Sequence, residues 1–120
     1  PVCAMMDARR GQVYCAVYQF EHGRLKEKTI DTVCPPEQAL SMVPGPDAVF
    51  VGSGARVYEA QIKQAFQGRV RMAPPFMDAV SAAALAWAAQ TTPDFFENPA
   101  NALVPAYLRS EGADAPRGFA

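Results

Sequence analysis

The chain has almost none of the residues that build metal centres or nucleophilic sites. His22 is its only histidine, and Cys3, Cys15 and Cys34 are its three cysteines. No two cysteines have the CxxC spacing. A structural zinc site needs several such ligands at set spacings, so no metal is expected, and His22 reads as a surface residue of a turn. One histidine in a turn does not complete a Ser-His-Asp or Cys-His set, and no paired carboxylates stand out. Clustered basic charge is also scarce. Only Arg9 and Arg10 are adjacent, and the formal net charge is −1. That argues against a protein that holds nucleic acid by its own charge. No apolar run is long enough to cross a membrane, and no signal-peptide pattern opens the chain. An odd number of thiols, each in an apolar stretch, fits buried cysteines in a reduced, cytoplasmic compartment. Cys3 and Cys15 could face each other across a hairpin, but free thiols are expected.

The chain has 120 residues, half of them hydrophobic, enough for one domain with its own core. Its organising stretch is Val2 to Phe20. Val2–Met6 is an apolar run of strand length, and Val13–Tyr18 is rich in β-branched and aromatic residues. Asp7-Ala8-Arg9-Arg10-Gly11 between them is polar and holds a glycine, which predicts a β-hairpin. Both strands are apolar on both faces, which predicts a central sheet with cover on each side. Asp7, Arg9 and Arg10 then sit at one end of that sheet. The plainest account of them is a solvated tip. The chain enters its first strand directly at Pro1, so it is expected to be a fragment of a longer protein.

Glu21-His22-Gly23-Arg24 predicts a second turn, and Leu25–Val33 an edge strand guarded by Lys26, Glu27 and Lys28. These three strands make an antiparallel meander. Pro35-Pro36-Glu37 opens a short helix to about Met42. Ala48–Val51 predicts a buried strand that runs into Gly52-Ser53-Gly54-Ala55, and a helix from Val57 to Phe66 ends near Gly68. Its inner side is expected to be Val57, Ile62, Ala65 and Phe66. A strand, a glycine-rich turn and a helix form the layout of an anion-cradling loop. The same four residues equally suit a tight turn packed close to a neighbour, since they match neither GxGxxG nor a P-loop. Val70–Ala73 predicts a short strand. Asp78–Gln90 predicts an alanine-rich helix capped by Asp78, with Met77, Val80, Ala84, Trp87 and Ala88 on one side, packed close to the sheet. Leu103–Arg109 is expected to dock in extended form, and residues 110–120 to form a flexible tail.

Four of these stretches occur in the order of one known family. Met6–Tyr14 resembles the D-A-R-[RK]-G-E-V-Y hairpin of the TsaB (YeaZ) family. Val51-Gly52-Ser53-Gly54-Ala55 resembles its V-G-[ND]-G-A loop, with Tyr58 shortly after. Pro75 and the helix ending Ala84-Leu85-Ala86 resemble its P-x-A-x-x-[LV]-A-x-LA region, and Pro105-Ala106-Tyr107-Leu108-Arg109 its closing P-x-Y-L-R. Ser53 stands where the family has Asn or Asp, and Gln12 where it has Glu. The resemblance covers the second half of such a protein, with residues 1–109 as its lobe.

The resemblance implies an α/β, RNase H-like lobe of the actin-like ATPase superfamily. It implies a mixed sheet with a three-stranded antiparallel meander plus helices. It implies a non-catalytic dimerisation and scaffold subunit of the complex that forms N6-threonylcarbamoyladenosine at position 37 of tRNA. The implied partners are TsaD-like and TsaE-like subunits and a second copy of the chain, with tRNA reached only through the complex. Asp7, Arg9, Arg10, Gly52, Ser53, Gly54 and Ala55 are the residues expected to face a partner or nucleotide. No cofactor is expected in this lobe alone, and ATP or ADP only in the assembled complex. The D-N-G motif by which the TsaD paralogue holds metal is absent, the nearest stretch being Asn98-Pro99-Ala100-Asn101. Older usage places the family among glycoprotease-like M22 peptidases. The competing expectation is therefore an enzyme lobe, of a TsaD-like transferase, an M22-type peptidase or a sugar-kinase-like ATPase. A stand-alone interaction domain of RNase H-like shape is a third class.

Overall fold

The computed structural model describes residues 1–91 and 107–109. Its centre is a six-stranded mixed sheet. β1 (Val2–Asp7) and β2 (Val13–Glu21) form the expected hairpin, in the register Val2↔Tyr18 to Asp7↔Val13. The outer edge of β2 is covered by two short strands in place of one. β3 (Arg24–Lys28) pairs with its far half, and β4 (Thr32–Cys34) with its near half. The single strand expected over Leu25–Val33 is broken at Thr29. Its hydroxyl accepts the Val17 N–H at 2.9 Å, so a side chain replaces a carbonyl in the ladder. Lys28 pairs with Asp31 across the kink at 2.8 Å, and Ile30 is left exposed. Every residue of β3 is exposed, as suits a charged edge strand.

On the other side of β1 the sheet turns parallel. α1 (Pro36–Ser41) leads to β5 (Val49–Val51), which pairs with β1 through Val2↔Val49 to Ala4↔Val51. Pro36 sits in the first turn of α1, where its missing N–H costs nothing. α2 (Ser53–Val57) and α3 (Glu59–Ala65) then lead to β6 (Arg71–Met72), parallel to β5. The strand order is β3-β2-β1-β5-β6, with β4 also on β2. The expected meander with parallel strands added is therefore present.

The core lies on one face of this sheet. Cys3 and Met5 of β1, Val13, Cys15 and Val17 of β2 and Phe50 of β5 alternate inward with period two. Ala39, Leu40, Ala55 and Ile62 cover them from the helices. Phe50 meets Phe66 with ring centroids 5.7 Å apart, in a tilted arrangement. The inner line of α2 and α3 is Ala55, Tyr58, Ile62 and Phe66. Val57 and Ala65, expected inside, are exposed. The helix begins four residues earlier than expected, at Ser53, and breaks at Tyr58 (φ −105°). That shifts the buried stripe. α3 ends in paired bonds, Gly68 N–H to Lys63 O at 2.7 Å and Gln67 N–H to Gln64 O at 3.2 Å. These form a Schellman motif in which Gln67 takes the left-handed position at φ 54°.

The alanine-rich helix departs furthest from expectation. A 3-10 turn spans Pro75–Met77, and α4 runs from Ala82 to Thr91. Its cap is Ser81, whose Oγ accepts the Ala84 N–H at 3.3 Å. Asp78 is bonded elsewhere and so does not cap. No residue of α4 is buried, and Trp87 is 69% exposed. The expected close packing of this helix on the sheet is absent. The second sheet face therefore lacks the expected cover from α4, and a groove of about 500 Å³ lies there, lined by Ala4, Met6, Tyr14, Tyr18, Val51 and Leu108 among others. The loop expected over Asp94–Asn101, the tail at 110–120 and residues 103–106 of the docking segment lie outside the described residues. Among the described residues, no helix is long and apolar enough to cross a membrane.

Candidate functional site

The predicted site residues come together at one end of the sheet, where β1 ends and β2 begins. Asp7 closes β1, and its carboxylate turns back over the tip. Asp7 Oδ1 accepts the Arg9 N–H at 2.9 Å, and Oδ2 lies 3.4 Å from the Arg9 guanidinium. The Arg9 side chain is 88% exposed. As an ion pair in water this contact contributes little to stability. Its local geometry matters more, because an Asp side chain bonded two residues ahead fixes the start of the turn. Arg9, Arg10 and Gly11 all take the left-handed region, with φ of 62°, 53° and 71°.

The glycine loop lies directly against this hairpin. Ser53 Oγ accepts the Asp7 backbone N–H at 3.1 Å. Gly52 has φ 103°, and a Cβ there would overlap the Met5 carbonyl oxygen. A Cβ on Gly54 would lie 2.9 Å from Met6 C and 3.1 Å from Asp7 N. Both glycines therefore let α2 touch the backbone of β1. Gly54 and Ala55 are buried, while Ser53 is exposed.

A carboxylate of this chain already sits at the loop. Asp78 Oδ1 accepts the Gly52 N–H at 3.2 Å, and Oδ2 meets Arg56 Nε at 3.0 Å. Arg56 also donates to Glu59 at 3.1 Å and to the Ala73 carbonyl at 2.8 Å. Lys63 joins Glu59 at 2.6 Å. The Arg56 hydrogen bond and then the Gly52 N–H hold the Asp78 carboxyl below the usual carboxylate range. Glu59 is lowered by Lys63 first and Arg56 second, and Arg56 is raised chiefly by Asp78. The sequence reading missed this network. The spacing of Arg56, Glu59 and Lys63, three and four residues apart, was a usable signal, but nothing local marked Asp78 as their partner.

Arg109 reaches the same end of the sheet. Its Nη2 donates to the Ala8 carbonyl at 3.0 Å and to Gln12 Oε1 at 2.7 Å.

Cys3 and Cys15 are poor nucleophiles in this arrangement. Cys3 pairs in register with Val17 and Cys15 with Met5, so the two do not face each other. Cys15 Sγ lies 3.7 Å from Cys34 Sγ, and all three are free and buried. Burial pushes Cys3 and Cys15 up to about 12, which removes thiolate nucleophilicity at neutral pH. Among the described residues, no group of three or more His, Cys, Asp or Glu side chains could hold a metal ion.

The fold and site define a small mixed α/β protein with a tightly packed hairpin and glycine loop at one end of its sheet. No protein-family model matches the chain, and a search of curated proteins finds no match.

Proposed function

We propose that the chain is an RNase H-like lobe of the actin-like ATPase superfamily, acting as a TsaB-type scaffold subunit in the complex that forms N6-threonylcarbamoyladenosine on tRNA. One observation carries this reading. Three stretches that resemble the family, at 6–14, 51–55 and 107–109, are far apart in sequence and meet at one end of the sheet. Asp7 bonds Ser53, and Arg109 bonds Ala8 and Gln12. The strand order, with an antiparallel meander on one side of β1 and parallel strands on the other, is the one this reading needs.

In this proposal Arg9 and Arg10 face a TsaD-like partner, since exposed arginines are common interface anchors. The glycine loop is structural. Gly52 and Gly54 serve the approach to β1, and the Gly52 N–H is taken by Asp78. ATP or ADP would bind only in the assembled cytoplasmic complex, where a second lobe could close a cleft over it. The subunit itself transfers nothing. The raised Cys3 and Cys15 thiols and the Asp78 carboxylate, already paired with Arg56, offer no ready nucleophile, which supports a scaffold over an enzyme lobe.

Reconstitution tests the proposal. TsaD-like and TsaE-like subunits with tRNA, ATP and a threonylcarbamoyl donor should modify tRNA only when the full chain carrying this lobe is added. Modification at the same rate without it would contradict the reading.

A further inference from the structure

The hairpin tip is a conformation that its own residues disfavour. Arg9 and Arg10 each carry a Cβ, and both sit at positive φ, in succession, before Gly11. Two backbone bonds close the turn, Ala8 N–H to Gln12 O and Gln12 N–H to Arg9 O, both 3.0 Å. Arg109 then bridges its two ends. One contact goes to the carbonyl of Ala8, which enters the turn, and the other to the side chain of Gln12, which leaves it. Its partners lie 101 and 97 residues away in sequence. A charged donor that spans both ends fixes their separation more firmly than neutral bonds do. Leu108, next to it, lines the groove together with Met6 and Tyr14.

We propose that Arg109 is the positioning residue of the hairpin tip. It holds residues 9–11 in the left-handed turn and so sets where the Arg9 and Arg10 side chains are displayed. The consequence for partner affinity rests on the function proposed above, whereas the tie between Arg109 and the tip does not.

Hydrogen exchange of the full chain, without partner, tests the tie. Arg109→Gln should speed exchange of the Ala8 and Gln12 amides at least about tenfold and leave the β5 amides unchanged. Arg109→Lys should give a smaller change, because an ammonium keeps the charge but not the fixed in-plane directions of the two N–H bonds on Nη2. Gln12→Ala, which removes only the side-chain acceptor, should move the same two amides. Unchanged exchange at Ala8 and Gln12 in Arg109→Gln would overturn the proposal. A uniform increase that includes β5 would also overturn it, as general destabilisation. In a second arm, Arg109→Gln should weaken binding to a TsaD-like subunit less than Arg9→Ala/Arg10→Ala does. If that double variant binds like wild type, the partner reading fails, and the exchange result still decides the role of Arg109.

Discussion

Replacing Gly54 by alanine adds one methyl group where there is no room for it. The new Cβ would lie 2.9 Å from Met6 C, 3.1 Å from Asp7 N and 3.1 Å from Met5 C. All three are backbone atoms of β1. That strand cannot retreat, because it is paired with β2 on one side and β5 on the other. Overpacking of this kind costs about 1–3 kcal/mol, and a rigid backbone wall puts it near the upper end. Alanine is the better helix former by about 1 kcal/mol, which offsets part of the cost in α2. The net expectation is a loss of about 2 kcal/mol. With a urea m-value of about 1.5 kcal/mol/M, the midpoint should fall by about 1.3 M. Gly52→Ala should lose more, since φ 103° adds backbone strain to the overlap with Met5 O. Gly45→Ala is the control. Nothing lies within 4 Å of its added Cβ, so its stability should hold within about 0.5 kcal/mol. An unchanged or raised midpoint for Gly54→Ala would refute the packing role of the loop.

Four further outcomes are expected. Asp78→Asn should destabilise the chain at neutral pH. The folded carboxyl is lowered by Arg56, so its contribution is present above the unfolded carboxylate value, about pH 4, and is lost as pH falls through the lower folded value. Urea midpoints of both proteins should therefore converge on acidification, and a gap that widens there would contradict the pairing. Phe50→Ala should cost about 3–5 kcal/mol, because Phe50 is fully buried against Phe66, and a thermal midpoint within a few degrees of wild type would be inconsistent with that core. Gln67→Gly should stabilise by about 1 kcal/mol, since it relieves a side chain held at φ 54°, as read by denaturant titration. Calorimetry with ATP or ADP, beside a phosphate-release assay, should find at most very weak binding and no turnover; turnover above a buffer blank would show a working site in the lobe.

The parts of the fold legible in the sequence were those set by local pattern. The apolar runs around Asp7–Gly11 gave the hairpin, Pro35-Pro36 gave the start of α1, and the run at 48–51 before Gly52 gave a strand entering a helix. The misplaced features depend on partners distant in sequence. Asp78 has the composition of a helix cap, yet Arg56, 22 positions away, takes it, and Ser81 caps instead. The break at Thr29 depends on a hydroxyl meeting the Val17 N–H across the sheet, which a strand pattern along one segment does not contain. Alanine content favours helix for α4 but says nothing of where a helix packs, and it carries no charged face to set an orientation. At the site, the polar tip and the glycine loop were each visible. Their contact through Asp7 and Ser53, and the return of Arg109 to the same place, are facts of tertiary structure.

The hairpin tip is proposed to be a partner-binding surface. Its most direct test is a titration of the full chain against a TsaD-like subunit, wild type beside Arg9→Ala/Arg10→Ala. The account predicts a loss of at least about tenfold in affinity, with the urea midpoint of the free double variant no lower than wild type. Superimposable titration curves for the two proteins would contradict it.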